Sequence, residues 1–156
     1  MVMQTVAGQR VGENLSDLEQ WMRDLLGCPT VTHTMPAHCP SEFHSDEPGT
    51  WFYIEADSGA GIVRRRCLSC GFVVATLDSD ERWNHPRMWA CGTCGQTITE
   101  GVAGVHAPAE HPDESLEPGD VSWVAIGVRC VGCGALDGVT DFVLPPTPWA
   151  EVAGRL

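Results

Sequence analysis

Three short stretches of this sequence share one pattern: Cys67-Leu68-Ser69-Cys70-Gly71, Cys91-Gly92-Thr93-Cys94-Gly95 and Cys130-Val131-Gly132-Cys133-Gly134. In each stretch a two-residue gap lets one tight turn aim both sulfurs at a single point. The glycine that follows can take a positive φ, so that the next backbone N–H groups point toward the sulfurs. Four such thiolates satisfy tetrahedral zinc, with Zn–S bonds of about 2.3 Å. The pattern therefore predicts metal sites built from these cysteines.

Other uses of paired cysteines fit this sequence less well. The segment Met1–Arg10 has no basic region followed by an apolar one, so we expect no secretion signal and no disulfide framework. None of the three stretches follows a buried strand at the start of a helix, where redox-active thiolates are usually stabilised. Iron can adopt the same four-sulfur geometry and remains an alternative to zinc. Zinc is the expected metal.

The first two stretches resemble the zinc-ribbon, or rubredoxin-knuckle, class of protein. Residues 71–90 between them are long enough for a β-hairpin that returns the chain to the same ion. The resemblance covers about residues 61–101 and implies one zinc ion held by Cys67, Cys70, Cys91 and Cys94. It implies no activity, because such ribbons occur in transcription factors, ribosomal proteins, enzymes and adaptors. In composition the chain is also similar to small multi-CxxC actinobacterial proteins linked to zinc-responsive control of ribosomes.

The third stretch needs partners from elsewhere in the chain. We expect Cys39 and His44 to complete a second site with Cys130 and Cys133, which gives two zinc ions per chain. A rival pairing uses a weak internal repeat and places Cys67 and Cys70 with Cys130 and Cys133. In that arrangement Cys91 and Cys94 join Cys28 or Cys39. The sequence leaves this choice open.

The rest of the chain predicts a mostly β fold with one N-terminal α-helix and antiparallel hairpins around two metal sites. Ser16 and Glu19 form a possible capping box ahead of helical apolar spacing over residues 16–26, and β-type runs begin at Trp51. The predicted organisation is a flexible N-terminus 1–13, a helix and Cys/His loop 14–50, a ribbon 51–102, an acidic linker or long loop 103–120, a second strand-knuckle unit 121–144 packed on the ribbon, and an extended tail 145–156.

The net charge of the chain and the types of its basic residues exclude several classes of function. The chain carries 9 Lys+Arg against 21 Asp+Glu, a formal net charge of −12, and all of its basic residues are arginine. A Schiff-base or P-loop lysine is therefore excluded, and the acidic balance disfavours general adhesion to nucleic acid or anionic lipid. The sequence also lacks metalloprotease, deaminase, hydrolase and nucleotide-binding signatures. We predict no catalytic residues, no small-molecule substrate, no membrane association and a cytoplasmic location.

Three classes of function remain, and the sequence favours binding to protein. We predict a small structural-zinc protein that acts as a protein-binding adaptor or regulator. Association with nucleic acid or the ribosome is the alternative, followed by thiol redox or zinc sensing. The candidate partner-binding residues are Arg64, Arg65 and Arg66, which form a basic run, and Trp149, which follows Pro-Pro-Thr-Pro. If this run is a solvated strand face, changing Arg65 to Gln should leave stability and binding unchanged. Trp51 is expected in the core.

Overall fold

A computed structural model describes residues 4–6, 9–24, 30–41, 51–57, 59–84, 86–108 and 118–156. The elements in these ranges are β1 (Gln4–Val6), β2 (Gln9–Val11), α1 (Leu15–Asp24), β3 (His33–Pro36), β4 (Phe52–Asp57), β5 (Ile62–Cys67), β6 (Val73–Ala75), β7 (Arg87–Met88), β8 (Ile98–His106), β9 (Val121–Cys130), β10 (Leu136–Thr147) and α2 (Trp149–Ala153). The prediction of a mostly β fold with an N-terminal helix and two clusters of cysteines is confirmed. Neither helix is long and apolar enough to cross a membrane.

In the described ranges eight strands form one antiparallel sheet. Six of them follow the order β10-β9-β8-β4-β5-β6, with β3 paired to β8 and β7 paired to β4, and β1 and β2 form a separate two-stranded sheet. Strand β8 is shared between two neighbours on one side. Its beginning pairs with β4 at Ile98 and Thr99, and its later part pairs with β3 from Val102 to Val105. Strand β7 pairs with β4 beyond the point where β8 leaves it. The two halves of the chain are therefore joined in one sheet by β4 and β8.

The main core lies on one face of this sheet, which we call the inner face. Side chains alternate along each strand, so every second residue points inward. The inner face buries Phe52 and Ile54 of β4 with Val63 of β5, and valines of β8 and β9 meet them. Val152 of α2 and Leu156 close the core from the carboxyl-terminal side.

Helix α1 covers the opposite face of β8 and β9. Its Met22 packs directly over two glycines: an added Cβ would lie 2.9 Å from Met22 Cε at Gly104 and 2.6 Å from Met22 Sδ at Gly127. These glycines are needed because the helix approaches the strands so closely. The helix begins one residue earlier than predicted. Its N-terminal cap is Asn14, whose Oδ1 accepts the N–H of Asp17 at 3.0 Å.

Two predicted boundaries are wrong. The acidic linker was expected to begin at residue 103, but Ala103–His106 belongs to β8 and is mostly buried. The sequence there lacks large apolar side chains because α1 packs closely over Gly104, and residues 109–117 lie outside the described ranges. The tail 145–156 is also not extended throughout, since β10 ends at Thr147 and α2 follows.

Candidate metal centres

Four cysteine sulfurs gather where β9 meets the turn before β8. Cys91, Cys94, Cys130 and Cys133 have all sulfurs within 4.8 Å of one another, and we call this group the four-cysteine cluster. The Sγ atoms of Cys91 and Cys133 lie 3.6 Å apart, and those of Cys94 and Cys130 lie 3.5 Å apart. A tetrahedral zinc ion with Zn–S bonds of about 2.3 Å requires sulfurs about 3.8 Å apart. The sulfurs therefore stand close to the spacing that the ion needs.

A second group contains Cys39, Cys67 and Cys70, whose sulfurs also lie within 4.8 Å of one another. The Sγ atoms of Cys39 and Cys70 are 3.6 Å apart, and we call this group the three-cysteine cluster. Cys39 is thus a member of a candidate site, as predicted, although its cysteine neighbours differ from those expected. His44 lies outside the described residues, so its predicted role as a ligand stays a prediction.

The expected pairings of the knuckles are wrong, and the sheet register explains why. Cys67 lies opposite Phe52, Phe52 lies opposite Thr99, and Thr99 lies opposite Cys130. Two strands therefore separate Cys67 from Cys130, a distance of about 14 Å at the usual strand spacing. Both clusters lie at the same end of the sheet as separate sites. Residues 51–102 do not form a self-contained ribbon, because their second knuckle combines with the third.

All three knuckles have the same backbone geometry. The first cysteine of each knuckle donates its N–H to the carbonyl oxygen five residues later; these distances are 2.9 Å for Cys67–Phe72, 2.8 Å for Cys91–Gln96 and 2.8 Å for Cys130–Ala135. The glycine of each knuckle donates its N–H to the carbonyl oxygen of the same cysteine; these distances are 2.9 Å for Gly71–Cys67, 2.9 Å for Gly95–Cys91 and 2.8 Å for Gly134–Cys130. The glycines have φ of 75°, 77° and 80° in chain order. The predicted positive φ after each cysteine pair is confirmed.

Backbone N–H donors lower the pKa values of the cysteine thiols, whereas burial raises them. The N–H of Phe72 lowers the pKa of Cys70 to about 7. Burial acts to raise the pKa of Cys91, but the N–H groups of Cys94 and Thr93 bring it down to about 7. Burial raises the pKa of Cys39 to about 11 and that of Cys133 to about 12. Each cluster therefore combines a thiol that ionises near neutral pH with one whose proton an incoming metal ion must displace.

Two of the knuckle glycines, Gly95 and Gly134, provide a matched test of this geometry. Gly95→Ala should cost about 1–2 kcal/mol, because a Cβ is unfavourable at positive φ but meets no other atom within 4 Å. Gly134→Ala should cost about 2–5 kcal/mol, since its Cβ would also lie 2.6 Å from the carbonyl oxygen of Gly12. Denaturant unfolding of the two zinc-loaded variants measures the difference. Equal losses would show that the contact with Gly12 does not hold the third knuckle in place.

The arginine run does not form one surface patch. Arg64 forms an ion pair with Glu55 at 3.1 Å and lies 4.0 Å from the ring centroid of Trp83. Arg66 is exposed, whereas Arg65 is only 7% exposed and points into the core. The expectation that Arg65 lies on a solvated strand face is therefore wrong, whereas its role in binding a partner stays a prediction. The signal was available in the sequence, because Cys67 must point into its cluster and residue 65 shares its face of the strand.

The two tryptophans named in the sequence analysis differ in exposure from what was expected. Trp149 is half-buried in α2 and packs against the main core, so it is not presented on an extended segment. Trp51 is 46% exposed beside the first knuckle, where its carbonyl accepts the N–H of Leu68 at 3.0 Å. The expectation that Trp51 fills the core is wrong, and its indole contributes to the surface.

Comparison of the chain with protein-family models, curated proteins and solved structures finds no match.

Proposed function

We propose that this chain is a cytoplasmic protein with two structural zinc ions that binds a protein partner as an adaptor or regulator. The observation that carries the proposal is the pair of cysteine clusters at one end of a single sheet, with neighbouring sulfurs 3.5–3.6 Å apart. Cys91, Cys94, Cys130 and Cys133 would hold one ion, and Cys39, Cys67 and Cys70 would hold the other. Each ion would tie together chain segments that are distant in sequence.

The chemistry of the four-cysteine cluster favours a structural role. Four thiolates complete the tetrahedron of a zinc ion, so that no position remains for a substrate or an activated water. The thiolates also leave the site with a formal charge of about −2, which opposes ionisation of a bound water. Zinc bound in this way stabilises the fold directly.

One part of the sheet surface is suited to a partner. On the side opposite the inner face, α1 contacts β8 and β9, and no helix in the described part of the chain covers β4, β5 and β6. We call this part of the sheet the outer strand face; it is formed by Trp51, Tyr53, Arg66, Val73 and Met88. Arg66 lies opposite both Tyr53 and Val73, so the three side chains form one row. Met88 is 52% exposed. Aromatic residues, Met and Arg are the types enriched in protein interfaces.

Charge indicates the kind of partner. Within the described part of the chain, no acidic side chain forms an ion pair with Arg66. An unpaired arginine among apolar side chains fits a protein segment that presents a carboxylate next to an apolar residue. Tight attachment to nucleic acid needs several phosphate contacts, and Arg64 is already paired with Glu55. We therefore assign the outer strand face to an acidic and apolar segment of a protein.

Affinity capture from the native cell tests this assignment when the zinc-loaded chain is compared with matched variants. Arg66→Glu and Met88→Asp should each reduce the captured partner at least about tenfold, as expected at an interface centre. Val143→Asp is the control, because Val143 is 84% exposed but lies on β10, away from this face. A partner that both face variants retain, or one that nuclease treatment or moderate salt removes, would contradict the proposal, the second result pointing to nucleic acid.

A further inference from the structure

The junction between β2 and α1 lies against the third knuckle. Val11, the last residue of β2, forms a β-bridge with Ala135. Gly12 comes next and donates its N–H to the carbonyl oxygen of Gly134 at 2.8 Å. Ala135 is fully buried and its carbonyl oxygen accepts the N–H of Cys130, so this residue closes the knuckle. The amino-terminal segment therefore pairs with the turn that positions Cys130 in the four-cysteine cluster.

Arg129 holds the same junction from β9. Its Nε donates to the carbonyl oxygen of Gly12 at 2.7 Å. Its Nη1 forms an ion pair with Oε2 of Glu100 at 3.3 Å, and Glu100 lies directly opposite on β8. Hydrogen bonds from a charged donor are stronger than those between neutral groups, and the ion pair keeps the guanidinium in one orientation. Both backbone polar groups of Gly12 are therefore engaged, and we call Val11, Gly12 and Arg129 the amino-terminal clasp.

The clasp distinguishes the third knuckle from the other two. Within the part of the chain that the structure describes, a Cβ added to Gly71 or Gly95 would meet no atom within 4 Å. A Cβ added to Gly134 would lie 2.6 Å from the carbonyl oxygen of Gly12 and 3.1 Å from Cγ1 of Val11. The three knuckles have the same backbone hydrogen bonds, so this difference comes from the amino-terminal segment. The four-cysteine cluster is thus built from one knuckle that the clasp holds and one whose glycine is open.

The clasp fixes half of the ligands of the four-cysteine cluster, because the third knuckle carries both Cys130 and Cys133. Holding a ligand-bearing turn in place before the ion arrives raises the affinity, since the ion then has less of the chain to order. Arg129 contributes through the backbone of Gly12 and not through its charge. The charge is paired with Glu100, and alternation along β9 points the side chain of Arg129 away from that of Cys130.

We propose that the amino-terminal clasp sets the affinity of the four-cysteine cluster for zinc, and that Arg129 is a positioning residue of this site. The inference rests on the proposed function in one respect, namely that this cluster binds zinc. Because coupling is reciprocal, the bound ion strengthens the docking of the amino-terminal segment by the same free energy. A partner that draws this segment away would lower the zinc affinity of the four-cysteine cluster and leave that of the three-cysteine cluster unchanged. The clasp thus gives the chain a way to release one ion and keep the other.

Zinc competition between the full chain and a chromophoric chelator tests the clasp through point variants. Arg129→Met removes the donor to Gly12 and should weaken one of the two zinc affinities about tenfold or more, with the other unchanged. Val11→Ala removes the side chain that lies against the third knuckle and should weaken the same affinity severalfold. Glu100→Gln breaks the ion pair but leaves the bond to Gly12, so its loss should be smaller than that of Arg129→Met. Arg10→Met removes an exposed charge of β2 and should lose nothing.

Further measurements assign the effect to the site and to the clasp. In a Cys70→Ser chain, which lacks the three-cysteine cluster, Arg129→Met should still weaken the binding of the remaining ion. Combining Val11→Ala with Arg129→Met should cost less affinity than the product of the two single losses, because both changes open the same clasp. In the zinc-loaded protein, Arg129→Met should speed hydrogen exchange at the amide of Gly12 and leave the amide of Cys67, in the first knuckle, unchanged.

The possible results separate the inference from the proposed function. A chain that binds no zinc overturns the proposed function. A chain that binds two ions with the same affinities in Arg129→Met and Val11→Ala as in the unmodified protein overturns the clasp alone. Independent losses in the double variant also overturn it, because Arg129 would then act on the ion by its charge. If Arg129→Met does not fold, the zinc affinity of Val11→Ala decides. One weakened affinity together with faster exchange at Gly12 supports the inference.

Discussion

Replacing Cys94 with serine is expected to remove one zinc ion per chain and to unfold the surrounding sheet. Cys94 is exposed, so serine barely alters the packing, and the effect comes from the lost ligand. A structural zinc site contributes about 10–16 kcal/mol of apparent binding free energy, as much as the whole stability of a typical domain, about 5–15 kcal/mol. Elemental analysis gives the zinc content, and far-ultraviolet circular dichroism with denaturant unfolding gives the structural loss.

Two further variants control this experiment. Ser69→Ala alters an exposed position inside the first knuckle that offers no sulfur, and it should keep both ions. His106→Ala should also keep both ions, because Nδ1 of His106 lies 2.8 Å from the carbonyl oxygen of Thr30 and belongs to neither cluster. A Cys94→Ser chain with full zinc content and unchanged stability would be incompatible with the four-cysteine cluster as a structural zinc site. A native chain without zinc would be equally incompatible.

Acidification should release both zinc ions and unfold the tertiary structure in the same pH range, which is the second large effect that we expect. Protons compete with zinc for the same sulfurs, so zinc-derived stability is present at higher pH and is lost as the pH falls. The competition is strong here because burial raises the pKa of Cys133 to about 12 and that of Cys39 to about 11. These thiols take up protons readily once the ion leaves. A pH titration followed with a zinc indicator and by circular dichroism should show coincident transitions.

A chelator at neutral pH separates the loss of zinc from the effect of acid on other groups. It should produce the same loss of structure, and added zinc should reverse it. The short strands explain why, since β6 contains three residues and β7 contains two, which is too little to hold the edge of the sheet alone. A sheet that keeps its cooperative unfolding after both ions are removed would show that the core suffices without metal.

Local chemistry was predictable from the sequence. The turn that brings Cys91 and Cys94 together depends on the residues between and after them, and so does the positive φ of Gly95. Helix α1 was predicted for the same reason, since its apolar spacing and polar first turn are local. Its start was misplaced because Asn14 and Asp17 offer the same capping chemistry as Ser16 and Glu19, but two residues earlier in the chain.

The combination of knuckles was not predictable, because it depends on strand order. Nothing near Cys67 specifies that β4 and β8 separate it from Cys130; that follows from pairings between residues far apart in the chain. The end of β8 was misread as a linker for a related reason. Gly104 is typical of a flexible segment when considered alone, and its real cause is the side chain of Met22 in a helix about 80 residues earlier in the chain.

The two clusters also have an order along the chain. One closes a loop between residues 39 and 67, and the other closes a later loop between residues 94 and 130, so that neither loop encloses the other. The first ion can therefore bind while the second half of the protein is still on the ribosome, because synthesis exposes the amino-terminal ligands first. Closing each short loop early carries only a modest entropic cost. Strands β8 and β9 would then add to an edge that an ion bound by the first cluster already holds.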